Sequence, residues 1–211
     1  MQIIPSVLTS SFTDFERQVH RMEILFPFIQ IDVMDGKFVP NTSFSEIEKV
    51  NSIDTTLQFE LHLMVDDPVA ELRKWQPIDK VFRVLFPAEA KDSRRTISFI
   101  RKEGWEIGMV LNPETPLSMI EKFLPSLNVV QFMTVHPGRQ GSPFLPEVED
   151  KIRAFTLLKN RPLCAVDGAV NKQTIRGLAE IGVDIVYPGS ALCGAKDVKA
   201  ALKELQEAIA Y

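Results

Sequence analysis

The stretch FIQIDVMDGKFVP, residues 28–40, begins as an apolar, β-rich run, then sets Asp32 and Asp35 three apart around a methionine and ends in a glycine turn. Strands avoid aspartate because its short, hydrated charge interrupts the ladder. A carboxylate at the end of such a run therefore marks a strand end with a task. Side-chain alternation puts Gln30, Asp32 and Met34 on one face of this strand.

Outward from this stretch, β-rich runs recur at 3–8, 28–33, 57–65, 81–86, 107–111, 129–135, 163–166 and 184–187, eight candidate strands in all. Segments of helical spacing lie between them: Phe12, Phe15, Val19 and Met22 mark the first, and Ile175, Leu178 and Ile181 a late one. Thr13 followed by Glu16 fits a capping box at the first helix start. Strict alternation of strand and helix predicts a parallel sheet, and eight units favour closure into a single-domain (β/α)8 TIM barrel over residues 1–211. An open flavodoxin-like sheet, the alternative, normally needs only about five strands.

The 211 residues fall at the lower edge of the size range for one such barrel. Apolar residues make up 45% and charged residues 25%, the balance of a globular protein with a sizeable core. The formal charge is −4, the pI about 5.5, and the basic residues are scattered, so the footprint of a nucleic-acid or acidic-membrane binder is missing. Cys164 and Cys193 each stand alone, and MQIIPSVLTS lacks a basic region followed by a long apolar run, so a reducing, cytoplasmic location is expected. No apolar run approaches the roughly 18 residues of a membrane span.

Parallel barrels carry their active sites at the C-terminal ends of the strands. Polar residues there are Ser6 on the first strand, Gln30 and Asp32 on the second, Glu60 and His62 on the third, and Asp167 on the seventh. Glu60, His62 and Met64 share a face as Gln30, Asp32 and Met34 do. If those faces point inward, the convergent carboxylates, imidazole and amide suit a divalent metal. The alternative is that each is satisfied singly by a backbone group or neighbour. Met34, Met64 and Met133 lie at or near strand ends, where a thioether packs against a flat intermediate or simply fills the core. The loops HPGRQG (136–141), DGA (167–169) and PGSA (188–191) follow strands six, seven and eight. Loops after strands seven and eight are a customary phosphate site of this fold.

Taken in order, IIPSVLTSSF, IDVMDGKFVPN, LHLMVDDP, GMVLNPETPL, MTVHPGRQGSPF, VDGAV and PGSALCGAKD resemble the ribulose-phosphate 3-epimerase family over nearly the whole chain. The resemblance implies interconversion of D-ribulose 5-phosphate and D-xylulose 5-phosphate by Asp32 and Asp167, which exchange the C3 proton on opposite faces of the sugar. It implies a divalent metal (zinc, manganese, iron or magnesium) on Asp32, His62 and Asp167, with Gln30 at a fourth position. Ser6, Met34, Met64 and Met133 would meet the substrate near the reacting centre. Gly138 and Gly141 of the mobile loop would cover it, and Gly168, Ala169, Gly189 and Ser190 would hold its phosphate. A homo-oligomer in the pentose phosphate pathway is the corresponding expectation.

The match departs at four places around the same mouth: Gln30 and Pro87 stand where the family has histidine, His136 where it has glutamate, and Ala169 where it has glycine. Glutamine offers only a neutral carbonyl oxygen, a weaker donor to zinc than imidazole nitrogen. Metal binding through Oε1, weak metal binding and none at all all stay open. His136 is a candidate replacement ligand, although strand alternation aims it away from the site. Arg83, inside VFRVLF, is read either as a structural arginine paired with Glu60 or as a positive charge reaching the mouth. The alternative functions are a non-catalytic sugar-phosphate binder and an epimerase of a six-carbon ketose phosphate. Related decarboxylases and hexulose-phosphate synthases carry a lysine between two strand acids, and none lies between Asp32 and Asp35.

Overall fold

The computed structural model describes residues 1–138 and 141–210. Nine parallel strands form one sheet: β1 (Gln2–Ile3), β2 (Ser6–Val7), β3 (Phe28–Met34), β4 (Gln58–Met64), β5 (Val81–Pro87), β6 (Glu106–Leu111), β7 (Val129–Met133), β8 (Leu163–Asp167) and β9 (Ile185–Tyr187). The first two are halves of one stave, parted at Ile4 and Pro5, where proline brings no N–H to a ladder. β1 pairs with β9 and β2 with β3, so the sheet returns on itself as eight staves. Both seams stay bonded across the break: the Ile4 N–H donates to the Val186 carbonyl at 3.0 Å, and the Pro5 carbonyl accepts from the Gln30 N–H at 2.9 Å.

The expected alternation with helices holds at α1 (Phe12–Met22), α2 (Pro68–Trp75), α3 (Ser93–Lys102), α4 (Glu149–Thr156), α5 (Ile175–Glu180), α6 (Ser190–Cys193) and α7 (Val198–Ala210). Two connections differ, being short 3₁₀ turns at Ile47–Ser52 and at Leu117–Met119 with Glu121–Ser126. In the first, the buried residues Ile47, Val50 and Ile53 recur every third position, the repeat of a 3₁₀ helix rather than of an α-helix. In the second, Pro125 sits where an α-helix would need its N–H and have no room for its ring. The capping box read at Thr13 and Glu16 is also displaced. Ser11 caps α1, its Oγ accepting from the Asp14 N–H at 3.3 Å, because the chain turns helical a residue before Thr13.

Two apolar layers result. Outside the sheet, Phe15 stacks on Phe44 with ring centroids 4.7 Å apart and meets Phe59 edge-on. Burying each such side chain contributes about 1.5–3 kcal/mol. Inside the barrel, Ile4, Leu85, Val110, Val129, Ala165 and Ile185 pack together. The lumen is not wholly apolar: Gln30, Glu60, Arg83 and Gln131 are also buried.

Candidate active site

At the C-terminal mouth of the barrel, strand register brings Asp32 beside His62 and Met133 beside Asp167. One ring nitrogen of His62, Nδ1, lies 3.0 Å from Asp32 Oδ1 and 3.3 Å from Asp167 Oδ2. The other oxygen of Asp32 accepts from the Ser6 hydroxyl at 2.7 Å. All four side chains are buried. Burial alone would push the His62 imidazole down, but the Asp167 and Asp32 carboxylates outweigh it and hold the ring up to about 10. Burial lifts the Asp167 carboxyl, with the neighbouring Asp32 charge adding to the rise and His62 opposing it.

Donor atoms of Asp32, His62 and Asp167 all lie within 4.8 Å of one another. Two carboxylate oxygens and an imidazole nitrogen around one point are a hard-to-borderline donor set that suits a divalent cation.

Beneath this cluster, in the next layer of the lumen, the Gln30 amide Nε2 donates to Glu60 Oε1 at 2.9 Å and to Gln131 Oε1 at 3.0 Å. Its own Oε1 is buried with no hydrogen-bond partner. The nitrogen carries no free lone pair, so any share Gln30 has in cation binding falls to that oxygen. Glu60 Oε2 accepts from Arg83 Nη1 at 2.7 Å, and Arg83 Nε also donates to Glu106 at 2.7 Å. Arg83 is thus the structural arginine paired with Glu60, and the reading that sends it to the mouth is set aside. Burial pushes the Glu60 carboxyl up, and the Arg83 guanidinium pulls it part of the way back. The buried Tyr187 hydroxyl feels the Glu60 charge but makes no hydrogen bond of normal geometry.

Comparison with known proteins gives this arrangement a context. A model of the ribulose-phosphate 3 epimerase family matches residues 2–193. The chain belongs to that family. Relatives named ribulose-phosphate 3-epimerase include one from Bacillus subtilis, 32% identical over 98% of this chain and 98% of its own length. Another, from Methanocaldococcus jannaschii, is 34% identical over 99% of this chain and 91% of its own. Among solved structures, a KGPDC from Streptococcus mutans in complex with D-R5P has a TM-score of 0.73 at 14% identity, covering 99% of this chain and 96% of its own. A 3-hexulose-6-phosphate synthase from Salmonella typhimurium has a TM-score of 0.71 at 12% identity, with 100% and 99% covered. At such low identity, these two bear on the fold alone.

The positions that correspond to the family's motifs gather on one cleft. Ser6, Asp32, Met64, Met133 and Asp167 line its wall, with Gly138, Gly141, Gly168, Ala169, Gly189 and Ser190 around them. Met34 lines an adjoining groove and packs with Met64 and Val39. His62 and Gln30 are buried and do not line this cleft. Arg139 and Gln140, within the loop HPGRQG, lie outside the described residues. His136 is exposed and its Nδ1 is 3.2 Å from Glu114, so it is no replacement ligand. Pro87 ends β5 without a polar group.

Asp35, the second acid of the opening stretch, has a scaffolding part. It accepts backbone N–H bonds from Lys37 at 2.8 Å, Phe38 at 3.0 Å and Asp66 at 2.9 Å, tying the turn after β3 to the end of β4. Burial would raise its carboxyl, and these three amides hold it below the usual range instead. Thr134, not singled out from the sequence, pins the turn after β8: its hydroxyl donates to the Gly168 carbonyl at 2.6 Å and its N–H to the Asp167 carbonyl at 2.8 Å. Gln131 was missed as well. It sits mid-strand, two residues before Met133 on the same face, where alternation from Met133 would have found it.

Proposed function

We propose that this chain interconverts D-ribulose 5-phosphate and D-xylulose 5-phosphate by proton exchange at C3 between Asp32 and Asp167. The observation that carries the reading is one imidazole nitrogen shared by two buried carboxylates from separate staves, at 3.0 and 3.3 Å. Inverting a carbon centre next to a carbonyl requires a base on one face and an acid on the other. Two carboxylates on different staves suit that division. Ser6 holds one oxygen of Asp32 and His62 the other, which fixes the plane of this carboxylate. His62 lies between the two acids and touches both with one ring nitrogen.

Asp32, His62 and Asp167 would hold a divalent cation, which supplies Lewis-acid polarisation of the sugar's carbonyl and hydroxyl oxygens. Met64 and Met133 give the planar enediolate a polarizable, water-excluding wall, with Met34 behind Met64. Backbone amides at Gly168, Ala169 and Gly189 and the Ser190 hydroxyl receive the phosphate, and Gly138 and Gly141 meet the sugar from the side of the cleft they line. Family resemblance also supports a homo-oligomer, which light scattering on the purified protein tests.

The deciding experiment follows ribulose 5-phosphate by NMR in D2O, with zinc, manganese, iron or magnesium supplied in turn. Both epimers should appear with deuterium at C3, and Asp32→Asn and Asp167→Asn should each slow this by roughly 10²–10⁴-fold. A folded protein that yields neither xylulose 5-phosphate nor deuterium at C3 with any of the four ions would sink the proposal.

A further inference from the structure

The lumen beneath the acids holds an unbroken polar chain that the reaction as proposed does not use. Glu60 is fully buried, and a carboxylate oxygen held by a guanidinium only accepts, so Gln30 must turn its Nε2 toward Glu60 Oε1. The second hydrogen of the same Nε2 goes to Gln131 Oε1. The Gln131 oxygen is thereby turned away from the mouth and its amino group toward it. That group lies 3.4 Å from Asp167 Oδ2, 3.4 and 3.5 Å from the two ring nitrogens of His62, and 3.4 Å from the Met133 sulfur. At these lengths it acts as an aimed dipole more than as a full hydrogen bond.

We propose that Gln131 is a positioning residue for Asp167, with the direction of its amide set from Glu60 through Gln30. The assignment of a role in turnover rests on the epimerase reading above. A carbonyl oxygen in the same place would face the Asp167 carboxylate lone pair to lone pair. The buried ion pair two amides away decides which end is presented. Residues that orient a catalytic or ligating group in this way commonly matter by about 10–100-fold when removed.

The test is a double-mutant cycle with two readouts. Gln131→Met should lower kcat about tenfold while KM for ribulose 5-phosphate stays within about twofold. Gln30→Met, which removes the upstream amide only, should lower kcat as well, and the double variant should be no slower than Gln131→Met alone. In parallel, the side-chain NH2 signal of Gln131, assigned by its loss in Gln131→Met, should move in Gln30→Met and again in Arg83→Met/Glu60→Gln. Thermal melts keep folding separate from positioning. A Gln131→Met enzyme with kcat within twofold of the parent, or single-variant losses that multiply in the double, would overturn the proposal. If the parent shows no turnover, the epimerase reading fails and the NMR readout judges the relay alone: a Gln131 signal indifferent to Gln30→Met refutes it, and a displaced signal upholds it for whatever chemistry the mouth performs.

Discussion

Replacing Arg83 by methionine would strand a carboxylate inside the barrel. Glu60 has no exposed surface; its Oε2 is 2.7 Å from Arg83 Nη1, and its remaining partner is the neutral Gln30 amide at 2.9 Å. Removing one member of a buried pair typically costs about 3–5 kcal/mol, because the other is left uncompensated in low dielectric. For a domain of this size each kcal/mol moves Tm by about 2–4 °C, so Arg83→Met should melt roughly 6–20 °C below the parent at pH 7. Glu106, also bonded to Arg83, returns to solvent and adds little. The sign with pH follows from burial. The Glu60 carboxyl is already pushed up, and without the guanidinium it rises further. The folded variant then binds a proton more readily than the unfolded chain, so its stability increases as pH falls through that raised value, and its deficit should narrow at pH 5. Calorimetry on the parent, Arg83→Met and Arg83→Met/Glu60→Met at both pH values reads this directly. The double variant, with no charge left to bury, should recover most of the loss. The reasoning fails if the single variant melts within about 2 °C of the parent at pH 7, or if the double variant is the less stable of the two.

Other expectations are quicker to check. Ala169 has φ +50, a left-handed conformation that costs an L-residue about 1–2 kcal/mol, so Ala169→Gly should hold or slightly raise Tm. Gly168→Ala should lower it, since at φ +113 a Cβ there would stand 2.7 Å from the Val135 side chain and 2.9 Å from its backbone nitrogen; the opposite order in a melt would contradict the turn geometry. Burial pushes the Cys164 and Cys193 thiols up to about 12, so only about one in ten thousand is thiolate at pH 8. Both should resist DTNB until the protein unfolds, and rapid native labelling of Cys193 would refute this. The Lys151 ammonium donates to the carbonyls of Asn112, Pro113 and Thr115 at 2.8, 2.9 and 2.8 Å. Lys151→Met should destabilise by about 1–3 kcal/mol and speed hydrogen exchange in the segment 112–116; unaltered exchange would show the clamp to be idle.

Much of the barrel was legible because each stave is a short apolar run bounded by turn residues, a signal local to a few positions. The eight runs reappear as staves with ends shifted by a residue or two. The 3₁₀ connections escaped notice because a three-residue repeat such as Ile47, Val50 and Ile53 also fits one face of a short helix. At the mouth, Asp32, His62 and Asp167 were readable as strand-end polar residues of one inward face. Gln131 was not, since a mid-strand amide carries no strand-end signal and shows its part only beside what lies across the lumen, and Tyr187, at the end of β9, carries no charge to mark it.

Alternation along single strands is enough to say that Gln30, Asp32 and Met34 share a face, and that Glu60, His62 and Met64 share another, because the β repeat is a property of the local backbone. Ordered motifs over the whole chain were enough to place it in its family. What local periodicity cannot express is distance between staves. That Asp32 serves the cleft while Asp35 binds three backbone amides, that Arg83 turns to Glu60 rather than to the mouth, and that Gln30 gives its nitrogen to Glu60 and Gln131 were all decided by barrel closure, which sets residues far apart in sequence within hydrogen-bond reach and leaves each buried polar atom to find its partner there.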